Sequence, residues 1–135
     1  MNAAAGSGQT ASPLRLLYVE DNRVNALLLV EALHGLDQVD LRVAEDGDEA
    51  IDVASQWHPD MLVLDAHLPG MSGYEVLQRL RAMPGVERAP AFMCSADASE
   101  HDQARARAAG FAGYWAKPID IDRVIADVVD VASRR

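Results

Sequence analysis

A doubly wound α/β fold, a five-stranded parallel sheet with five helices, is what this chain of 135 residues predicts. Three observations carry that prediction. Met61-Leu62-Val63-Leu64 is a continuous apolar run, the pattern of a central parallel strand covered on both faces. Strand-like and helix-like runs alternate along the chain, and each parallel connection needs a crossover that is right-handed. Polar residues stand immediately after the apolar runs, where open sheets of this class place their ligands.

The totals bound the function. One domain fits the length, and 50% hydrophobic with 24% charged residues is an ordinary folded composition. A net charge of -9 with no basic patch argues against nucleic acid as a partner. The single cysteine, Cys94, excludes an internal disulfide and reads as a buried inert thiol, suited to a reducing cytoplasm. No apolar run approaches membrane-spanning length. Residues 1–13, MNAAAGSGQTASP, lack the basic and apolar regions of a signal peptide and read as a flexible tail or linker before a domain at 14–135.

The elements follow in order. Leu14 to Val19 is strand-like and closes on Glu20-Asp21-Asn22. Asn22 caps a helix from Val24 to about His34, with Gly35 as a left-handed stop; this helix is apolar nearly all round, which predicts extensive cover. Val39 to Ala44 alternates apolar and polar residues, as an edge strand does. Asp46 and Glu49 open a helix with Ala50, Ile51, Ala54 and Trp57 at core spacing, stopped by Pro59. After the central strand and the turn residues Leu68 to Gly73, Ser72 and Glu75 form a capping box for a helix whose Val76, Leu77 and Leu80 face inward. Pro84-Gly85 ends it.

The fourth strand, Ala91 to Cys94, ends on Ser95-Ala96. Ser99 to Ala109 is helical but has almost no large apolar side chain to anchor it, so it should be the least firmly held helix. Tyr114-Trp115-Ala116 forms the fifth strand and ends on Lys117-Pro118. The last helix spaces Ile121, Val124, Ile125, Val128, Val129 and Ala132 for one buried face.

Gathering the strand ends brings Glu20, Asp21, Asp65, Ser95 and Lys117 to one edge of the sheet. Three carboxylates that close repel unless a cation sits among them, and hard oxygen ligands at a partly open site suit Mg2+. Lys117, with a metal and a hydroxyl, could hold the oxygens of a phosphoryl group. It is the one lysine beside 11 arginines, a compact charge where a guanidinium fork would be too large.

These residues resemble the receiver domain of response regulators in two-component signalling, over Leu14 to about Ala132. The ordered motifs are the acidic pair in YVEDN, the aspartate in LVLDAHLPGMSG, the Pro84 to Pro90 turn, the Ser-Ala step in MCSAD, and GYWAKP. The resemblance implies a flavodoxin-like strand order of 2-1-3-4-5. It makes Asp65 the phosphoacceptor, charged by a histidine kinase or a histidine phosphotransfer protein. It makes Glu20, Asp21, Asp65 and the backbone carbonyl of His67 the Mg2+ set, with Mn2+ as a substitute. Ser95, Ala96 and Lys117 would bind the phosphoryl group, and the Lys117-Pro118 bond would be cis. Ser95 and Tyr114 would report the state on a face made by the fourth helix, the fifth strand and the last helix, for an unidentified downstream protein to read. On this reading the chain is a signalling module rather than an enzyme, cytoplasmic, with no membrane attachment of its own.

Departures from the commonest pattern are Glu20 for Asp, Trp115 and Ile119 near the end, and His67, whose imidazole either faces solvent or borders the phosphoryl group. Alternatives are the receiver of a hybrid sensor histidine kinase acting as a relay intermediate, a phosphorylation-independent scaffold, and a haloacid-dehalogenase-type phosphatase. The last requires a second aspartate where His67 stands, and a scaffold usually lacks one member of the set that this chain keeps whole.

Overall fold

The computed structural model describes residues 12–97 and 99–135, so the tail expected at 1–13 lies outside the described residues except for its last two. In chain order the elements are β1 (Leu14–Val19), α1 (Arg23–Leu33), β2 (Val39–Ala44), α2 (Gly47–Trp57) and β3 (Met61–Asp65). A two-residue pair follows, β4 (His67–Leu68) with β5 (Met71–Ser72), then α3 (Gly73–Arg81) and β6 (Ala91–Ser95). The chain continues through α4 (Glu100–Ala108), β7 (Gly113–Ala116) and α5 (Ile121–Ser133). The main sheet runs β2-β1-β3-β6-β7, all parallel, which is the expected 2-1-3-4-5 order with β6 and β7 as its fourth and fifth strands.

Alternation along the strands sends side chains to two core layers. Leu17, Val19, Leu62, Leu64, Met93 and Tyr114 meet Trp57, Leu77 and Ala106 of α2, α3 and α4. Leu16, Tyr18, Val63, Phe92, Cys94 and Trp115 meet Leu29, Leu33, Val124 and Val128 of α1 and α5 on the other face. β3 is buried at all five positions, whereas β2 alternates as an edge strand should. Caps form where the residues predict them: Asn22, Asp46, Ser72 and Ser99 each accept a backbone N–H of the first turn.

Three expectations are corrected. α1 is not covered: Val24, Leu27 and Leu28 stand 67%, 60% and 42% exposed, and only Leu29 and Leu33 of the helix are buried. A helix in the outer layer of a sandwich offers one stripe to the sheet, and α1 has only α5 beside it on that face. Gly35 is not a left-handed stop; α1 ends instead through tight turns in which the His34 N–H donates to the Glu31 carbonyl and the Leu36 N–H to that of Leu33. On α5, Val124, Val128 and Val131 are buried while Ile121 and Val129 are exposed, so the inward stripe is rotated from the one expected.

α4 is held as lightly as its composition predicts, with Ala106 its one buried residue. Polar and aromatic contacts replace a core: the Arg105 guanidinium lies 4.3 Å from the centre of the Tyr74 ring, which meets Phe111 edge-on.

Candidate functional site

The carboxyl ends of β1, β3, β6 and β7 converge as the strand ends predicted. Glu20 follows β1 and Asp65 closes β3; both are buried, and Asp21 between them and α1 is exposed. Carboxylate oxygens of Glu20, Asp21 and Asp65 all lie within 4.8 Å of one another. Lys117, just past β7, reaches both buried acids, with its Nζ 2.8 Å from Glu20 Oε1 and 3.1 Å from Asp65 Oδ2. Burial works against the charged amine, but hydrogen bonds to Glu20 and Asp65 outweigh it and leave the Lys117 pKa raised. The lysine therefore keeps its positive charge.

One lysine against three carboxylates leaves two negative charges in excess at a site where two of the acids are out of water. Three hard oxygen donors, one of them open to solvent, fit a divalent cation that keeps part of its water shell. The donor chemistry thus agrees with magnesium.

The loop after β3 is shaped around Asp65. Its Oδ1 accepts the His67 N–H at 3.2 Å, and the β4–β5 pair turns at Gly70, whose φ is 72°. Gly73 opens α3 against the backbone of Asp65: a Cβ there would fall inside van der Waals contact of the Asp65 carbonyl oxygen. His67 itself is exposed. Its neighbourhood includes Asp97, whose carboxyl is held below the usual range by hydrogen bonds from the Ser99 amide and hydroxyl, with His101 and His67 adding less.

Ser95 is buried at the end of β6, and its Oγ accepts the Asp97 N–H at 3.1 Å; Ala96 next to it is exposed. Tyr114 is turned inward. Its hydroxyl lies against two acceptors, the Asp97 carbonyl and Asp102 Oδ2 at 2.9 Å, and shares its one proton between them. Trp115 points the opposite way, stacks against Phe92 and donates from Nε1 to Asp127 of α5 at 2.8 Å. The Lys117-Pro118 bond is cis, and Ile119 packs into the α1–α5 core layer.

Three site residues escaped the sequence reading. Gly73 reads as a turn residue, and Asp102 lies in a helix, Ser99 to Ala109, from which the sequence singles out no site residue. Tyr18 sat in an apolar run, although strand alternation puts it on the same side as Glu20. The Tyr18 hydroxyl donates to Glu20 Oε1 at 3.0 Å.

A cleft of about 750 Å³ opens at the other end of the strands between Pro59, Phe92, Gly113 and Val131 and includes none of Glu20, Asp21 and Asp65.

A parallel sheet in this order, with three acids and one lysine at its carboxyl edge, is the arrangement expected of a receiver domain. The chain belongs to the response regulator receiver domain family, whose model matches residues 16–129. It is 33% identical over 110 residues to the polar-differentiation response regulator DivK of Brucella ovis, covering 82% of this chain and 89% of that protein. The DivK of Brucella anthropi is 32% identical over 113 residues, covering 84% and 91%. Among solved structures, a response regulator from Chloroflexus aurantiacus superposes with a TM-score of 0.82 at 30% identity, covering 90% of this chain and 99% of that one. The receiver domain of a sensor histidine kinase from Pseudomonas aeruginosa, which carries a magnesium ion coordinated in its active-site cleft, gives 0.79 at 26% identity with the same coverage. Among the described residues no helix is long and apolar enough to cross a membrane.

Proposed function

We propose that this chain is a phosphorylation-controlled switch that takes a phosphoryl group onto Asp65 from the phosphohistidine of a histidine kinase or histidine phosphotransfer protein. The observation that carries the reading is Lys117 bridging the two buried acids, because that bridge poises a cation beside the attacking carboxylate. In the transfer an Asp65 oxygen bonds to phosphorus, the P–N bond breaks, and its electron pair returns to the imidazole of the donor. Little covalent work falls to the protein, whose contribution is positioning and charge stabilisation.

Asp21 and Asp65 would hold Mg2+, or Mn2+ in its place, with Glu20 acting through water and the His67 carbonyl completing the protein's share. The metal supplies charge neutralisation for the phosphoryl oxygens. Ser95, the Ala96 backbone and Lys117 receive those oxygens. Pulling Ser95 toward them acts on Asp97 and, through the Tyr114 hydroxyl, on α4, so the α4–β7–α5 face carries the signal to a downstream protein. The module transfers and loses its own phosphoryl group and turns over no separate substrate. It works in the cytoplasm, free or as the receiver of a larger kinase, the latter supported by its similarity to the Pseudomonas receiver.

Incubation with acetyl phosphate, read by intact mass, tests the reading. One phosphoryl adduct is expected for the wild type with Mg2+, and none after chelation or in Asp65→Asn. An adduct that survives Asp65→Asn would place the chemistry elsewhere.

A further inference from the structure

Tyr18 is the largest fully buried side chain of the fold, 1% exposed at the penultimate position of β1 and packed in the layer under α1 and α5. Its hydroxyl is closed off from water and donates to Glu20. Glu20 Oε1 takes two donors, the Tyr18 hydroxyl at 3.0 Å and Lys117 Nζ at 2.8 Å, while Oε2 takes the Asn22 N–H at 3.2 Å. Two of these donors are fixed to the frame. Lys117 is different, a flexible stem that also reaches Asp65.

Phosphorylation gives Lys117 a stronger attraction, the phosphoryl oxygens on Asp65. Turning to them withdraws one charged partner from a carboxylate that is 1% exposed, and a buried charge with fewer partners is disfavoured. A neutral donor already on the same oxygen reduces that penalty. We propose that Tyr18 is a positioning residue that keeps Glu20 hydrogen-bonded and in place when Lys117 turns to the phosphoryl group, so that its hydroxyl stabilises the phosphorylated state selectively. The inference rests on the reading of Asp65 as phosphoacceptor.

Tyr18→Phe keeps the ring and deletes the hydroxyl. Calorimetric titration with Mg2+, and then with beryllofluoride at saturating Mg2+ as a phosphoryl mimic, separates the two states. Before the mimic is added, Lys117 and the Asn22 amide still hold Glu20, so Mg2+ affinity is expected within about twofold of wild type. Beryllofluoride affinity is expected to fall about five- to tenfold, the amount by which the Tyr18 hydrogen bond gains in weight once Lys117 has left the same oxygen. In a Glu20→Gln background, deleting the hydroxyl is expected to cost less than about twofold, because the charge it serves is gone. Unchanged beryllofluoride affinity, an equal loss for Mg2+ alone, or an equal loss in the Glu20→Gln background would each overturn the role assigned to Tyr18. A wild type that binds no beryllofluoride in Mg2+ would take down the phosphoacceptor reading and this inference together, whereas strong binding by both proteins removes the inference alone.

Discussion

Asp65 can be no better placed than the backbone that carries it, and Gly73 sets that backbone. The approach of α3 to the Asp65 carbonyl leaves no room for a methyl group, and backbone atoms cannot rotate away as a long side chain can. Gly73→Ala is therefore expected to destabilise the fold by about 1–3 kcal/mol, the usual penalty for overpacking, and to slow acetyl-phosphate labelling of Asp65. Denaturant unfolding and labelling rate measured on the same preparation check this; a variant with wild-type stability and rate would show that α3 shifts freely. The acids, the serine and the lysine were legible in the sequence because each directly follows an apolar run. Gly73 and Tyr18 were not, since their importance lies in what they touch rather than in their spacing.

At the scale of elements, α1 departs furthest from its sequence pattern. A helix apolar on nearly every side is normally enclosed. In this fold one stripe meets the sheet, α5 flanks it, and Val24, Leu27 and Leu28 are left in water. Ile121 and Val129 on neighbouring α5 are exposed too, so every large hydrophobic exposed among the described residues belongs to these two helices. Periodicity reports which residues could be buried; only the packing of layers says which are. α1 begins two residues after Asp21, so on the proposed reading its exposed first turns lie near the acidic edge where a phosphohistidine would enter. Val24→Ser with Leu27→Ser is expected to change stability by under about 0.5 kcal/mol per site. The same pair of substitutions should slow phosphoryl transfer from a histidine-phosphorylated donor protein about tenfold, the weight of one interface anchor, and leave labelling by acetyl phosphate unchanged. Equal rates from the protein donor would move the docking face elsewhere, toward α4 and β7.

For the whole molecule, strand order and helix layering followed from alternation of apolar runs because a parallel sheet admits few connections. What the sequence left open was how the acidic edge is coupled to the interior. Tyr18 and Cys94 lie in the α1–α5 core layer close to Glu20 and Asp65, so the folded state keeps protons that the unfolded chain gives up as pH rises. Burial pushes the Cys94 thiol from 9.0 up to about 12, and the phenol of Tyr114 from 10.0 to about 12, while Lys117 is raised by its two acids despite its own burial. The sign is the same for each: above pH 9 the native state binds more protons than the unfolded state, so stability is intact below that point and declines as pH climbs. Denaturant midpoints are expected to be level between pH 7 and 8.5 and to fall from pH 9 to 11, with Cys94 accounting for about 2 kcal/mol of the loss at the upper end. Cys94→Ala lowers stability at neutral pH through the volume it removes, yet its midpoint should decline less steeply over the same window. Parallel curves for the two proteins would mean that the thiol ionises as easily inside the fold as outside it, and that the layer beneath the site is open to water.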